Sequence, residues 1–231
     1  MEPIILHVDT ATSVCSVALS INAKIVSEKI EQKSNQHTRL INVFIRDILI
    51  EAKLSIKELH AISLTIGPGS YTGLRVGMSA VKGLCYGGDI PMITIGTLEA
   101  LAQPFLHSNK ILIPTIDARR NEVYTAQYNE TGFCLIEPYC LVVEPQTYPN
   151  LWPPSEDIII CGNGANKLSE LLNSYSFQLE NNISLASYQA KLALKKYLLE
   201  DFSDIFLSKP NYLKPPNITK PRNKALPPQK S

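Results

Sequence analysis

Apolar and polar positions alternate between two periods along the first hundred residues. Ile4 to Val8 is a nearly unbroken apolar run that stops at Asp9-Thr10-Ala11-Thr12, which predicts a buried strand ending in a turn. Val14 to Leu19 alternates around small residues, and Asn22-Ala23 turns the chain into Lys24 to Ile30, so the opening reads as a three-stranded meander. The period then changes. From about Ser34 to Ala52, Ile41, Phe44, Ile45, Ile48 and Leu49 make a broad helical core stripe, while Val43 and Ile50 form a second apolar patch beside Arg39 and Arg46. A strand at Ala61 to Ile66, a glycine-rich turn, a helix from Thr72 to Tyr86, a strand at Met92 to Ile95 and a helix from Thr97 complete the order βββαβαβα.

A weaker copy of this unit begins 108 residues later, which places Asp117 where Asp9 stands in the first. Ile111 to Ile116 ends in Asp117-Ala118-Arg119, Glu122 to Tyr128 alternates, Glu130-Thr131-Gly132 turns, and Phe133 to Val143 is extended. A strand at Asp157 to Cys161, a helix over Gly162 to Leu172 and a helix over Ser184 to Leu199 follow. A repeated strand-Asp-hairpin-helix unit predicts an α/β protein of two related lobes, because each meander needs helices on its faces to be buried. The duplicated actin/Hsp70/sugar-kinase plan (the ASKHA fold) meets that requirement, with residues 1–107 as the first lobe and 108–207 as a smaller, truncated second one.

Composition narrows the class. The chain has 231 residues, 45% hydrophobic and 19% charged, which is enough to build a core and excludes wholesale disorder. Neither a basic, apolar leader nor an uncharged stretch of about 18 apolar residues is seen, so a soluble, cytoplasmic protein with no membrane segment is expected. The five cysteines contain no C-x-x-C pair and read as buried thiols. Charge is uneven: residues 208–231 carry Lys209, Lys214, Lys220, Arg222, Lys224 and Lys230 without an acid, so the whole chain's +1 less these six leaves −5 on the remainder. With Pro210, Pro215, Pro216, Pro221, Pro227 and Pro228 this segment is expected to be a disordered tail; a basic arm on RNA phosphates, or docking on a partner, are the other readings.

Candidate chemistry is sparse. Gly67, Gly69 and Gly73 lie between a strand and a helix, and Ser70 or Thr72 can cap that helix, a geometry suited to an anion or to a close-packed backbone. The segment is neither a Walker A loop nor a G-x-G-x-x-G turn. Gly73, Gly77 and Gly83 each cost roughly 1 kcal/mol relative to Ala inside a helix, so something must offset them. Gly73, Gly77 and Ala80 fall within about 60° on the helical wheel and form a small-residue face that another backbone can approach. Arg75 and Lys82, seven apart, share a different face. The two helices together therefore predict a partner interface comprising Arg39, Val43, Arg46, Ile50, Ser70, Tyr71, Thr72, Gly73, Arg75, Val76, Gly77, Ser79, Ala80, Lys82 and Gly83. His7, His37, His60 and His107 have no metal-ligand spacing, and G-x-S-x-G is absent. Asp9 and Asp117 are turn residues, or else the carboxylates an actin-like ATPase would place near Mg-ATP, with Thr10, Gly67 and Gly69 beside the nucleotide.

Leu6-His7-Val8-Asp9-Thr10-Ala11, Ser34-Asn35-Gln36-His37-Thr38-Arg39-Leu40, Gly67-Pro68-Gly69-Ser70-Tyr71-Thr72-Gly73-Leu74-Arg75-Val76-Gly77, Gly96-Thr97-Leu98-Glu99-Ala100-Leu101-Ala102 and Ile116-Asp117-Ala118-Arg119-Arg120-Asn121-Glu122-Val123-Tyr124 together resemble the TsaB (YeaZ) family. Pro210-Asn211-Tyr212-Leu213-Lys214 is loosely similar to that family's Pro-x-Tyr-Leu-Arg ending, with Lys for Arg. The resemblance implies a catalytically inactive subunit of the complex that makes N6-threonylcarbamoyladenosine at position 37 of tRNAs reading ANN codons. Implied partners are the catalytic TsaD, through the first-lobe helices, and the ATPase TsaE. The resemblance also implies a homodimer in isolation, tRNA reached through the complex, and no tightly bound cofactor, with ATP or ADP at the TsaD junction. TsaD holds its metal through H-x-x-x-H; Thr97 and Leu101 stand at those places here, and neither side chain replaces an imidazole. An independent actin-fold ATPase or small-molecule kinase, and the older metallopeptidase label, are the alternatives.

Overall fold

A computed structural model describes residues 2–33, 37–144, 157–169 and 177–215. Strands β1 (Ile4–Asp9), β2 (Cys15–Ile21) and β3 (Lys24–Glu31) form the meander, followed by helix α1 (His37–Ala52), strand β4 (Ala61–Thr65), helix α2 (Tyr71–Gly88) and strand β5 (Met92–Ile95). The first sheet has the order β3-β2-β1-β4-β5, with β1, β4 and β5 parallel and the hairpins antiparallel. β1 and β4 are buried along almost their whole length because helices cover both faces, whereas β3, at the sheet edge, alternates between exposed and half-buried positions. Ile41, Ile45 and Ile48 of α1 and Met78, Val81 and Cys85 of α2 pack with Leu6, Val8, Leu19, Ile62 and Leu64 in one cluster, so both helices lie side by side on one face of this sheet.

The second sheet repeats the plan. Strands β6 (Ile111–Asp117), β7 (Glu122–Tyr128), β8 (Cys134–Val142), β9 (Ile158–Cys161) and β10 (Phe177–Glu180) take the order β10-β9-β6-β7-β8, with β6 at the place of β1. The sequence pattern did not predict β10, whose four residues are too few to show a period. The helices described here are α3 (Thr97–Ala102) and α4 (Ala165–Ser169), the latter followed by residues outside the described set. The predicted helix over 184–199 is a 3-10 turn, Ala186–Gln189, leading into α5 (Ala190–Leu198).

Packing crosses the boundary drawn at residue 107. Leu98, Leu101 and Ala102 of α3 join the second core with Leu112, Ala126 and Ile159, while Ala193 of α5 packs under the first sheet with Ile5, Ala61 and Ile93. The two ends of the second unit are thus fastened to the first lobe, and a buried polar network does much of the fastening. Gln189 Nε2 donates to the Val8 carbonyl at 2.8 Å, and its Oε1 accepts from Ser63 Oγ at 2.8 Å. That uses the single Ser63 proton, so the His7 Nδ1–H donates to Ser63 Oγ at 2.7 Å and Nε2 accepts from Ser20 Oγ at 2.7 Å. His7 is wholly buried and neutral, its pKa pushed down by burial from 6.5 to about 3. No helix among the described residues is long and apolar enough to cross a membrane.

Candidate functional site

The glycine-rich segment joins β4 to α2. Gly67 has φ +119° and is fixed by two bonds to Thr97: its N–H donates to the Thr97 hydroxyl at 3.1 Å and its carbonyl accepts the Thr97 N–H at 2.9 Å. Ser70 caps α2, its Oγ accepting the Gly73 N–H at 3.2 Å, while the Ser70 N–H donates to the Ala11 carbonyl at 2.6 Å. The small-residue face of α2 therefore turns inward. A Cβ at Gly69, Gly73 or Gly77 would lie 2.2 Å from the Ala11 carbonyl oxygen, 2.1 Å from the Thr10 carbonyl oxygen and 2.3 Å from Thr10 Oγ1 respectively. The backbone that approaches this face is the β1–β2 turn of the same chain. This corrects the expectation for Gly73 and Gly77, which are buried in the fold rather than displayed to a partner. A helical wheel identifies a small face but carries no information on what will pack there.

The outer surface is a different stripe. Thr72, Arg75, Ser79 and Gly83 are exposed on α2, Tyr86 is 71% exposed, and Lys82 is half-exposed between them. On α1, Arg39, Arg46 and Ile50 are exposed, Ile50 at 66%, with Val43 half-buried on the same face. Ser70, Tyr71, Val76 and Ala80 are half-buried at its margin. Gly83 meets nothing within 4 Å.

Sequence reading gave no structural role to the chain after Leu207, yet residues 203–215 run as an arm along α2, turning at 205–207. Phe206 stacks edge-on to Tyr86 at 5.9 Å and its carbonyl accepts from Lys82 Nζ at 3.4 Å. Tyr212 lies on Tyr71 at 4.8 Å and its hydroxyl accepts from Arg75 Nε at 3.0 Å, with the Arg75 guanidinium 4.0 Å above the Tyr71 ring. Asn211 N–H donates to the Ile66 carbonyl at 2.7 Å, Leu213 enters the second core, and Lys214 pairs with Glu122. The arm is thus ordered through Pro215, contrary to the tail expected from 208 onward; residues 216–231, with Lys220, Arg222, Lys224 and Lys230, lie outside the described residues. The Pro-Asn-Tyr-Leu-Lys stretch was its one signal.

Between the sheets is a cleft of about 580 Å³, bordered by Thr12, Ser70, Asp117, Arg119, Tyr212 and Lys214 among others. Its residues do not fit Mg-ATP held in the actin-like manner. Asp9 is fully buried, with Oδ1 accepting the Ala11 N–H at 2.9 Å and Oδ2 accepting the Ser184 hydroxyl at 2.6 Å, so its carboxylate is committed to the chain itself. Thr10 is buried beneath Gly77. Asp117 is open to solvent but is ion-paired to Lys167 at 2.6 Å and accepts the Arg119 N–H at 2.7 Å. The thiols of Cys15 and Cys85 are pushed up to about 12 by burial and are unreactive. Among the described residues no group of three or more His, Cys, Asp or Glu could hold a metal ion.

Comparison with known proteins agrees with this architecture. Residues 21–196 match the family model described as TsaD, tRNA N6-adenosine threonylcarbamoyltransferase. Curated relatives include the tRNA threonylcarbamoyladenosine biosynthesis protein TsaB of Escherichia coli, 38% identical over 62% of this chain and 63% of its own length. The TsaB of Haemophilus influenzae is 40% identical over 53% of this chain and 52% of its own. The match therefore spans between about half and two thirds of these relatives. The solved structure of YeaZ from Pseudomonas aeruginosa superposes with a TM-score of 0.79 at 25% identity, covering 91% of this chain and all of that one. An ADPNP-bound activator of 2-hydroxyisocaproyl-CoA dehydratase from Clostridium difficile, TM-score 0.52 at 9% identity, shares the actin-like fold alone. With the family model covering most of the chain, the chain belongs to the TsaD-type threonylcarbamoyltransferase family, and its curated relatives and solved neighbour align it with TsaB (YeaZ).

Proposed function

We propose that this chain is a non-catalytic partner subunit in the formation of N6-threonylcarbamoyladenosine on tRNA, docking on and activating a TsaD-type catalytic subunit through the outer faces of α1 and α2. The observation that carries the reading is the pair of long helices whose outward stripes, Arg39-Val43-Arg46-Ile50 and Thr72-Arg75-Ser79-Gly83, stay largely exposed, with the arm bonding to Arg75 among them. Helices buried on one side that display Ile50 (α1) and Tyr86 (α2) on the other are built for two contacts. Chemistry has less support: Thr97 and Leu101 are turned into the interior, at 0% and 1% exposure, at the positions where the catalytic family members carry metal-binding histidines. ATP or ADP is assigned to the junction with the TsaD-type subunit rather than to this chain's own cleft. TsaE joins the pair, tRNA is reached through the complex, and a homodimer forms when TsaD is lacking.

Reconstituting tRNA modification from purified TsaD-type and TsaE-type subunits, with and without this chain, tests the reading. Modification is expected only with the chain present, and none from the chain alone. Modification that proceeds equally well without it, or ATP turnover by the pure chain that Asp9→Asn abolishes, would replace this reading with the ATPase one.

A further inference from the structure

The outward stripes of α1 and α2 carry a net positive charge. Arg39, Arg46, Arg75 and Lys82 lie on them, and the one carboxylate in the set, Asp47, is paired to Arg46 at 2.8 Å. Glu51 pairs with Lys29 at 2.5 Å, while Asp204, whose Oδ1 accepts the N–H groups of Phe206 and Leu207 at 2.7 and 2.8 Å, keeps its charge, so four cations face two acids, Asp47 and Asp204, and the net sign is positive. Arg39 has no carboxylate partner among the described residues.

Two of these cations are also held in place. Arg75 is bonded to Tyr212 at 3.0 Å and lies 4.0 Å above the Tyr71 ring, and Lys82 reaches the Phe206 carbonyl at 3.4 Å. Both anchors come from the arm at 203–215. A lysine or arginine on a bare helix can swing aside when another cation approaches, because its stem is flexible. Arg75 and Lys82, tied down by the arm, lose most of that escape. Their partners are neutral, so the charge itself is undiminished.

We propose that this arm-fixed cationic face selects an occupant whose docking surface is apolar and acidic, and discriminates against a second copy of the chain. The inference rests on the reading of α1 and α2 as the docking surface and adds what kind of surface they accept. In a two-fold pair each face meets itself, so the net positive charge carried by Arg39, Arg75 and Lys82 is brought against an equal positive charge. Like charges across an interface oppose association, and an acidic partner removes that repulsion and gains attraction. Ile50 and Tyr86 supply the apolar contact in both cases, so affinity is shared between the two occupants while choice is electrostatic.

The two occupants then respond to salt with opposite sign, because screening weakens attraction and repulsion alike. The full-length chain is taken from ~50 to ~300 mM NaCl, a range over which the Debye length falls from roughly 14 to 6 Å. Self-association is measured by sedimentation equilibrium, and pairing with the purified TsaD-type subunit by calorimetry. Self-association is expected to tighten with salt and the mixed pair to weaken. The variant carrying Arg39→Gln and Lys82→Gln, both at exposed or half-exposed positions, is expected to flatten both slopes, tightening self-association and weakening the mixed pair by about fivefold each. Self-association that weakens with salt, a salt response that persists unchanged in the double variant, or a loss of equal size in both pairings overturns the proposal. Failure to bind the TsaD-type subunit at any salt concentration counts against the proposed function instead, and the slope of self-association still decides the charge preference of the face.

Discussion

The two copies of the strand-Asp-hairpin corner have diverged in opposite directions. In the first, Asp9 is sealed under Ser184, and the turn behind it carries Gly69, Gly73 and Gly77 pressed against Thr10 and Ala11. In the second, Asp117 is exposed and paired with Lys167, and the turn behind it runs through Arg119 and Arg120, both at positive φ and both in solvent. Both began as the end of a central strand flanked by one parallel and one antiparallel neighbour. What separates them is what covers each corner: the glycine face of α2 with Ser184 over the first, and Asn163 and Lys167 over the second. A long helix with a glycine face can close a corner completely, and the carboxylate beneath it becomes structural.

Breaking the first corner should cost most. Gly73→Ala drives a methyl into the Thr10 carbonyl, a backbone atom with no room to yield, and is expected to destabilise by about 3 kcal/mol in urea unfolding. Asp9→Asn comes next, near ~2 kcal/mol, because the amide must offer a donor where two hydrogen bonds are accepted. Titration sharpens the contrast on the same lobe. The folded-state pKa of His7 lies below its ordinary value, so between about 6.5 and 3 the unfolded chain binds the extra proton. This stability is present above pH ~6.5 and is lost as pH falls, with a limiting slope of about 1.4 kcal/mol per pH unit. The His7 ring resonances should show no titration step between about pH 5 and 8. Asp117→Asn, at the open corner, should change stability by less than ~1 kcal/mol, as its ion pair is solvent-screened. Smallest, and of opposite sign to Gly73→Ala on the same helix, Gly83→Ala should stabilise by up to ~1 kcal/mol, since nothing lies within 4 Å of the added methyl.

Much of this fold was legible because strands and long helices write their period into the chain. The alternation of Val14 to Leu19, the stripe from Ile41 to Leu49 and the 108-residue echo from Asp9 to Asp117 gave the two-lobed actin-like plan. The outer stripe of α1 was legible for the same reason; on α2 the sequence set Arg75 and Lys82 on a face apart from the glycines but took the glycine face for the docking one. What escaped depends on distant partners. The glycines of α2 signalled close approach, but whether Thr10 or another molecule would approach is settled by β1–β2 pairing in space. Phe206 sits in a turn and Tyr212 in irregular chain, where side chains follow no helical or strand pattern and find their neighbours only through tertiary packing. The return of Ala193 to the first sheet was hidden likewise, because a short helix of mean polarity fits many surfaces.

The C-terminal arm also has a consequence in time. Arg75 meets Tyr212 across 137 residues of chain, Asp9 meets Ser184 across 175, and Val8 meets Gln189 across 181. A protein made from its N-terminus at roughly 5–20 residues per second has α1 and α2 outside the ribosome several seconds before the segment that anchors their cations. During that interval the first lobe has its helices but not their fixed charges, and the nascent chain is an incomplete match for any acidic surface. On the proposed reading, pairing is expected to follow completion of the chain.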